Sequence, residues 1–148
     1  MAIIHGLVNG SIRTLVTFGL MLALAAAVYA ADYEVIVNKN VPANSLNKAD
    51  LRSIFLGEKV KWDNNKYIKI VMPEEGPAYR DFLQNVVGKT PSQFDKHWMN
   101  LVFTGRAAMP LSFADSQKLV DYVAGHPGVI GVVAARQAGA TVKTISIK

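Results

Sequence analysis

A chain of 148 residues, 51% hydrophobic and 18% charged, has enough apolar material for one well-buried core and too little length for two. Its formal net charge is +5 without any block of lysine or arginine, which speaks against a nucleic-acid partner. It has no cysteine, which excludes disulfides, thiolate redox chemistry and cysteine-zinc sites.

Arg13 and a polar start precede an uncharged apolar run, Leu15 to Val28, and Val28-Tyr29-Ala30 offers the small −3 and −1 residues of a signal-peptidase site. Residues 1–30 are therefore expected to be a secretory signal peptide cleaved after Ala30, with the chain exported to the periplasm or cell envelope. An uncleaved anchor is the alternative, because the uncharged stretch Thr14 to Ala31 is just long enough to span a bilayer. The segment holds one of the 16 basic residues and none of the acidic ones, so residues 31–148 carry +4 in place of +5. That mild positive balance favours anionic surroundings or ligands.

Tyr33 to Asn38 is an apolar-rich strand, followed by a loop that Pro42 keeps out of helix. Asn47 suits a helix N-cap, Asp50 its reciprocal partner, and Leu46 with Leu51 a hydrophobic staple, predicting a helix over Lys48 to Leu56 stopped by Gly57. Asp63 to Lys66 is turn chemistry, and Tyr67 to Met72 a second strand. Pro77 opens a helix whose stripe is Phe82, Leu83, Val86 and Val87 and whose stop is Gly88. Thr90-Pro91-Ser92-Gln93 is a capping box, and Phe94, Trp98, Leu101 and Val102 mark the face of the helix it starts. Phe103 to Pro110 is a loop carrying Arg106. Ser112 or Asp115 can cap a helix with Leu119, Val120 and Val123 inward and Gly125 as its stop. Strands Val129 to Val133 and Thr141 to Ile147 complete the chain. Interleaved helices and strands predict a single three-layer-type α/β domain, residues 31–148, with a mainly parallel sheet.

The strongest functional geometry is the strand–turn–helix junction from Pro73 to Arg80. Helix-start amides carry partial positive charge, and ligands of open α/β sheets gather at strand carboxyl ends. Gly76, Ala78 and Tyr79 would supply amides, with Arg80 and Arg106 as guanidinium forks. Asn38, Glu75 and Ser112 are secondary candidates, Asn38 being equally suited to a turn and Ser112 to a cap. Glu74 and Glu75 also fit an acidic first helical turn. His97 and His126 lack a second histidine at helical spacing, so no metal site is expected, nor any other cofactor. Phe55, Trp62, Trp98 and Phe103 are expected in the core rather than around a pocket. No nucleophile motif, phosphate loop or paired catalytic carboxylate assembles, and no enzyme activity is expected.

Phe55-Leu56-Gly57, the lysine-rich turn after it and Trp62-Asp63 resemble the segment that opens the second lobe of the phosphate-binding components of ABC transporters, which are type II periplasmic binding proteins. Pro127-Gly128-Val129-Ile130-Gly131-Val132 is similar to a signature near the end of that family, with Val132 in place of an aromatic residue. The resemblance covers nearly all of residues 31–148 but only about half of a full-length member. It implies the fold of one lobe and a small oxyanion held for ABC-type uptake. The family's Gly-, Ser- and Thr-rich anion loop is replaced here by Pro73, Glu74, Glu75, Pro77 and Tyr79. The alternative is a binding-protein-like domain whose ligand binding is weak or lost, serving an envelope assembly beside a membrane transporter, a porin or a further copy of itself.

Overall fold

The computed structural model describes residues 32–148, so the expected signal peptide, its cleavage site and the alternative anchor lie outside the described residues. The elements are β1 (Tyr33–Val37), β2 (Ser45–Leu46), α1 (Lys48–Phe55), β3 (Lys69–Pro73), α2 (Pro77–Phe82), a π-helical turn (Leu83–Val87), α3 (Pro91–Phe103), β4 (Leu111–Phe113), α4 (Ser116–Gly125), β5 (Val129–Ala134) and β6 (Lys143–Ile147). One sheet runs in the order β2-β6-β1-β5-β3-β4. Pairs β2·β6, β3·β5 and β3·β4 are parallel, while β1 is antiparallel to both its neighbours, β5 and β6. The sheet is thus mixed and mostly parallel, as expected.

Alternation along the central strands divides the interior into two layers, because successive side chains leave opposite faces of a sheet. Val35, Val37, Met72, Ile130 and Val132 point to the side covered by α1, α2, the π turn and α3. Ile36, Val71, Val129 and Val133 point to the other side, where Leu119, Val120 and Val123 of α4 meet them. Burying a side chain of this size stabilises the fold by about 1.5–3 kcal/mol. Gly131 faces α4. A Cβ there would stand 2.7 Å from Val71 Cγ2 and 3.1 Å from Leu119 Cδ2, so the missing side chain is what lets α4 sit down on the sheet. Gly128, at φ 79°, makes the turn into β5, and a side chain there would run into the Tyr67 carbonyl.

The helix ends follow the sequence closely. Asn47 Oδ1 accepts from the Asp50 N–H at 2.7 Å, and Leu46 and Leu51 are both buried. Thr90 and Gln93 form both halves of their capping box, at 3.0 and 3.2 Å. After α2 the chain widens into the π turn, in which the Gly88 N–H reaches back five residues to Leu83 O at 2.7 Å. Three expectations are corrected. Ser112 caps nothing, since it lies in β4 opposite Met72, and Asp115 caps α4 by accepting from the Lys118 N–H at 3.0 Å. Gly125 does not stop α4, which includes it; the amide of Asn38 donates to the last-turn carbonyls of Val123 and Ala124 instead. Phe103 is 93% exposed, while Phe55, Trp62 and Trp98 are core, the Trp62 indole N–H donating to Gly128 O and that of Trp98 to Phe55 O, at 3.0 Å each. Phe103 sits in the last turn of α3, whose inward face is already filled by Phe94 and Trp98.

Two phenols belong to the first core layer. Tyr33 packs edge-on to Phe82 at 5.4 Å, and burial, then Asp81, raises its pKa. Tyr79 is held up to about 12 by burial and, second, by Asp95. A raised folded-state pKa contributes stability that is complete below the unfolded value and is lost as pH rises through the folded one. Stability should therefore fall between pH 10 and about 12, and Tyr79→Phe should shallow that loss in urea unfolding followed across the window. Gly131→Val should lower stability by about 1–3 kcal/mol through overpacking, read as a lower urea midpoint at unchanged slope.

Candidate functional site

The site is built by the way the chain leaves two neighbouring strands. β3 and β4 are adjacent and parallel. The chain leaving β3 enters α2 and joins the first core layer; the chain leaving β4 enters α4 and joins the second. Connections that depart to opposite faces leave a crevice at the carboxyl ends of the two strands, the position where open α/β sheets take ligands. Its floor is pinned where the Glu74 N–H donates to Phe113 O at 3.1 Å.

Two helix starts border this crevice. Gly76, at φ 117°, is the N-cap of α2 and offers no side chain; its carbonyl accepts the Arg80 N–H at 3.2 Å. The Ala78 and Tyr79 amides fall in the first turn, where no carbonyl of the same helix reaches them. At α4 the Asp115 carboxylate occupies the Lys118 N–H, while the Ser116 and Gln117 amides are first-turn donors of the same kind. The arrangement can present backbone N–H groups from two elements to one small anion.

Of the residues expected at a site, Gly76, Ala78 and Tyr79 are at the crevice, but only through their backbone. The Ala78 and Tyr79 side chains are buried in the core. Glu74 and Glu75 are exposed at the mouth and precede the Gly76 cap, so neither belongs to an acidic first turn. Arg80 is exposed and lines a shallow depression of about 380 Å³ with Gln84 and the Gly88–Gln93 turn. Arg106 lines a groove bounded by Lys69 and Leu111, the residues that begin β3 and β4. The two arginines are therefore at separate places and do not form one fork. Asn38 is buried and engaged within the fold: its amide N–H groups go to α4 and its Oδ1 accepts from the Asn40 N–H at 3.0 Å. Ser112 is exposed on the edge strand.

The His97 ring bonds Leu56 O and the His126 ring bonds Tyr122 O, both at 2.8 Å, and His126 stacks on Tyr122 at 3.9 Å. Among the described residues no three potential metal ligands come together. Sequence reasoning missed the Ser116 and Gln117 amides. The signal available is Asp115-Ser116 just beyond the alternating Leu111-Ser112-Phe113, which at three residues is too brief to show a strand period.

No family model matches this chain, and no curated protein matches it in sequence. Solved structures do match its fold. An ABC-type phosphate transport receptor from Vibrio cholerae superposes with a TM-score of 0.59 at 16% identity, over 78% of this chain and 46% of that one. A Clostridium perfringens protein described as a phosphate ABC transporter substrate-binding protein, solved with phosphate bound, gives 0.62 at 19% identity, over 78% and 44%. A phosphate-binding protein from Stenotrophomonas maltophilia gives 0.55 at 17% identity, over 80% and 39%. The chain spans less than half the length of these relatives, and over that span it has the α/β fold of the substrate-binding proteins of phosphate ABC transporters.

Proposed function

We propose that this is an exported solute-binding domain that takes a small oxyanion of the phosphate class at the crevice between β3 and β4, for ABC-type uptake. The observation that carries the reading is the meeting of two helix starts, at Gly76 and Asp115, on the carboxyl ends of adjacent parallel strands. The role is binding, with no catalytic step. Backbone amides of Ala78, Tyr79, Ser116 and Gln117 hold the anion, and Arg80 adds positive charge nearby. Glu75 accepts a hydrogen bond from a protonated oxygen of the ligand, which favours hydrogen phosphate over sulfate, an anion with no proton to give. One lobe offers a half-site; in two-lobed binding proteins the other half comes from hinge closure, and here a second protein body would supply it.

A second reading has its own support. Arg80 and Arg106 face separate depressions, and the chain spans under half the length of its solved relatives. Both favour a domain that keeps the scaffold without high-affinity ligand binding and serves as an adaptor, in contact with a membrane transporter, a porin or another envelope protein.

Thermal melts in phosphate, sulfate and chloride at matched ionic strength separate the two. At a hundredfold excess over its dissociation constant, phosphate should add about 2.7 kcal/mol, a rise of several degrees in a domain of this size. Glu75→Gln should abolish the preference for phosphate over sulfate. Arg106→Ala should leave the phosphate response unchanged, since Arg106 borders the groove at the strands' amino ends. Equal shifts in all three salts would reject the oxyanion site and leave the adaptor reading.

A further inference from the structure

A sizeable groove lies at the opposite end of the sheet from the crevice. It is a half-open groove of about 600 Å³ between the Gly57–Ile68 hairpin, the first residues of β3 and β4, and the Arg106–Pro110 loop, with Trp98 and Ile54 beneath. That volume is in the range of small-molecule sites.

Three observations give the groove a chemical character. Val60, Tyr67, Met109 and Leu111, four of the seven large apolar side chains standing exposed among the described residues, line it. Its ionisable cations are Lys59, Lys69 and Arg106, and no carboxylate borders it. Among the described residues Lys69 and Arg106 have no salt-bridge partner, and Lys59 has only the exposed Asp63, at 3.8 Å. A fourth cation, Lys61, sits over the Tyr67 ring at 4.8 Å from its centroid. Apolar walls left in water, combined with cations lacking counter-charges, complement a ligand with an apolar body and an anionic head.

We infer that this groove is a second binding site, taking a small amphiphilic anion: a carboxylate or sulfonate on an aliphatic or aromatic body. The body lies against Val60, Tyr67, Met109 and Leu111, and the head is met by Lys69 and Arg106. Concavity distinguishes such an occupant from a flat membrane surface, and the clustering of uncompensated positive charge distinguishes it from a neutral apolar molecule. The site is independent of the proposed oxyanion crevice, with which it shares no residue.

The probes are decanoate, kept below its micelle-forming concentration, and decanol and decyltrimethylammonium as neutral and cationic counterparts of the same chain length. Each is titrated against the full chain carrying the aromatic sulfonate dye anilinonaphthalene sulfonate. Decanoate should displace the dye, with decanol and decyltrimethylammonium each weaker by about tenfold or more, the worth of one charge-assisted contact. Lys69→Glu with Arg106→Glu, both on exposed side chains, should cost decanoate a similar factor while decanol is unaffected and the melting temperature without ligand holds. Leu111→Ser should weaken decanoate and decanol together. Equal binding of all three probes, or indifference to the charge reversals, would overturn the inference. So would binding to phosphatidylglycerol vesicles without binding of monomeric decanoate, which would make the face a membrane contact. Self-association abolished by the same reversals, with no decanoate binding, would assign the groove to a second copy and overturn it equally.

Discussion

Everything in this domain depends on β5 being buried on both faces. It joins the antiparallel part of the sheet, through β1, to the parallel part, through β3. Its alternate residues feed two separate cores at once. The parallel half alone would be an open three-stranded fragment, and β1, paired to β5 on one side, would lose the strand that joins it to that half. Gly131 sits at the middle of this strand, where one side-chain position is left empty so that Leu119 can approach. The placement of α4 over the sheet, and with it the position of the α4 start beside β4, follows from that empty position.

The fold was legible in the sequence where several local signals agreed. The Thr90 box and the Asn47 cap each combine hydrogen-bonding chemistry with an apolar helical period, and Val129 to Val133 is a continuous apolar run directly after a Pro-Gly turn. What stayed hidden had too few residues to show a period. β2 has two and β4 three, and a strand that short is identified only by its neighbour. The brevity of β4 conceals half of the crevice, because the sequence marks Asp115 as a helix cap without showing that a strand ends two residues before it. Asn38 illustrates another limit. Asparagine after a strand suggests a turn, and its Oδ1 does accept the Asn40 N–H, but its bonds to Val123 and Ala124 join residues more than eighty positions apart, which no local pattern can announce. Arg80 and Arg106 were grouped by charge, and the topology separates them.

The sheet has a chemical polarity along its strands. At the carboxyl ends of β3 and β4 the groups available are backbone N–H donors of two helices, with Glu74 and Glu75 at the mouth. At the amino ends the groups are apolar side chains and cations, with no carboxylate among them. On the proposed function, the first end would discriminate between oxyanions by their protons, since carboxylates and amides ask for a ligand that both donates and accepts. The other, as a site for an amphiphilic anion, would discriminate by apolar area and charge sign. Five residues of β3 separate them, so a molecule at one end leaves the other free.

The first and last strands also have a consequence of their own. β1 and β6 are antiparallel neighbours paired at Val35 and Ile145, and two residues further on they reach Tyr33 and Ile147. The backbone thus enters and leaves the fold side by side. A unit threaded in this way is indifferent to where its covalent ends are placed. Joined by a short linker and reopened at the exposed Asp63–Lys66 turn, it would keep every strand pair; set into a surface loop of another protein, it would interrupt that host at a single point.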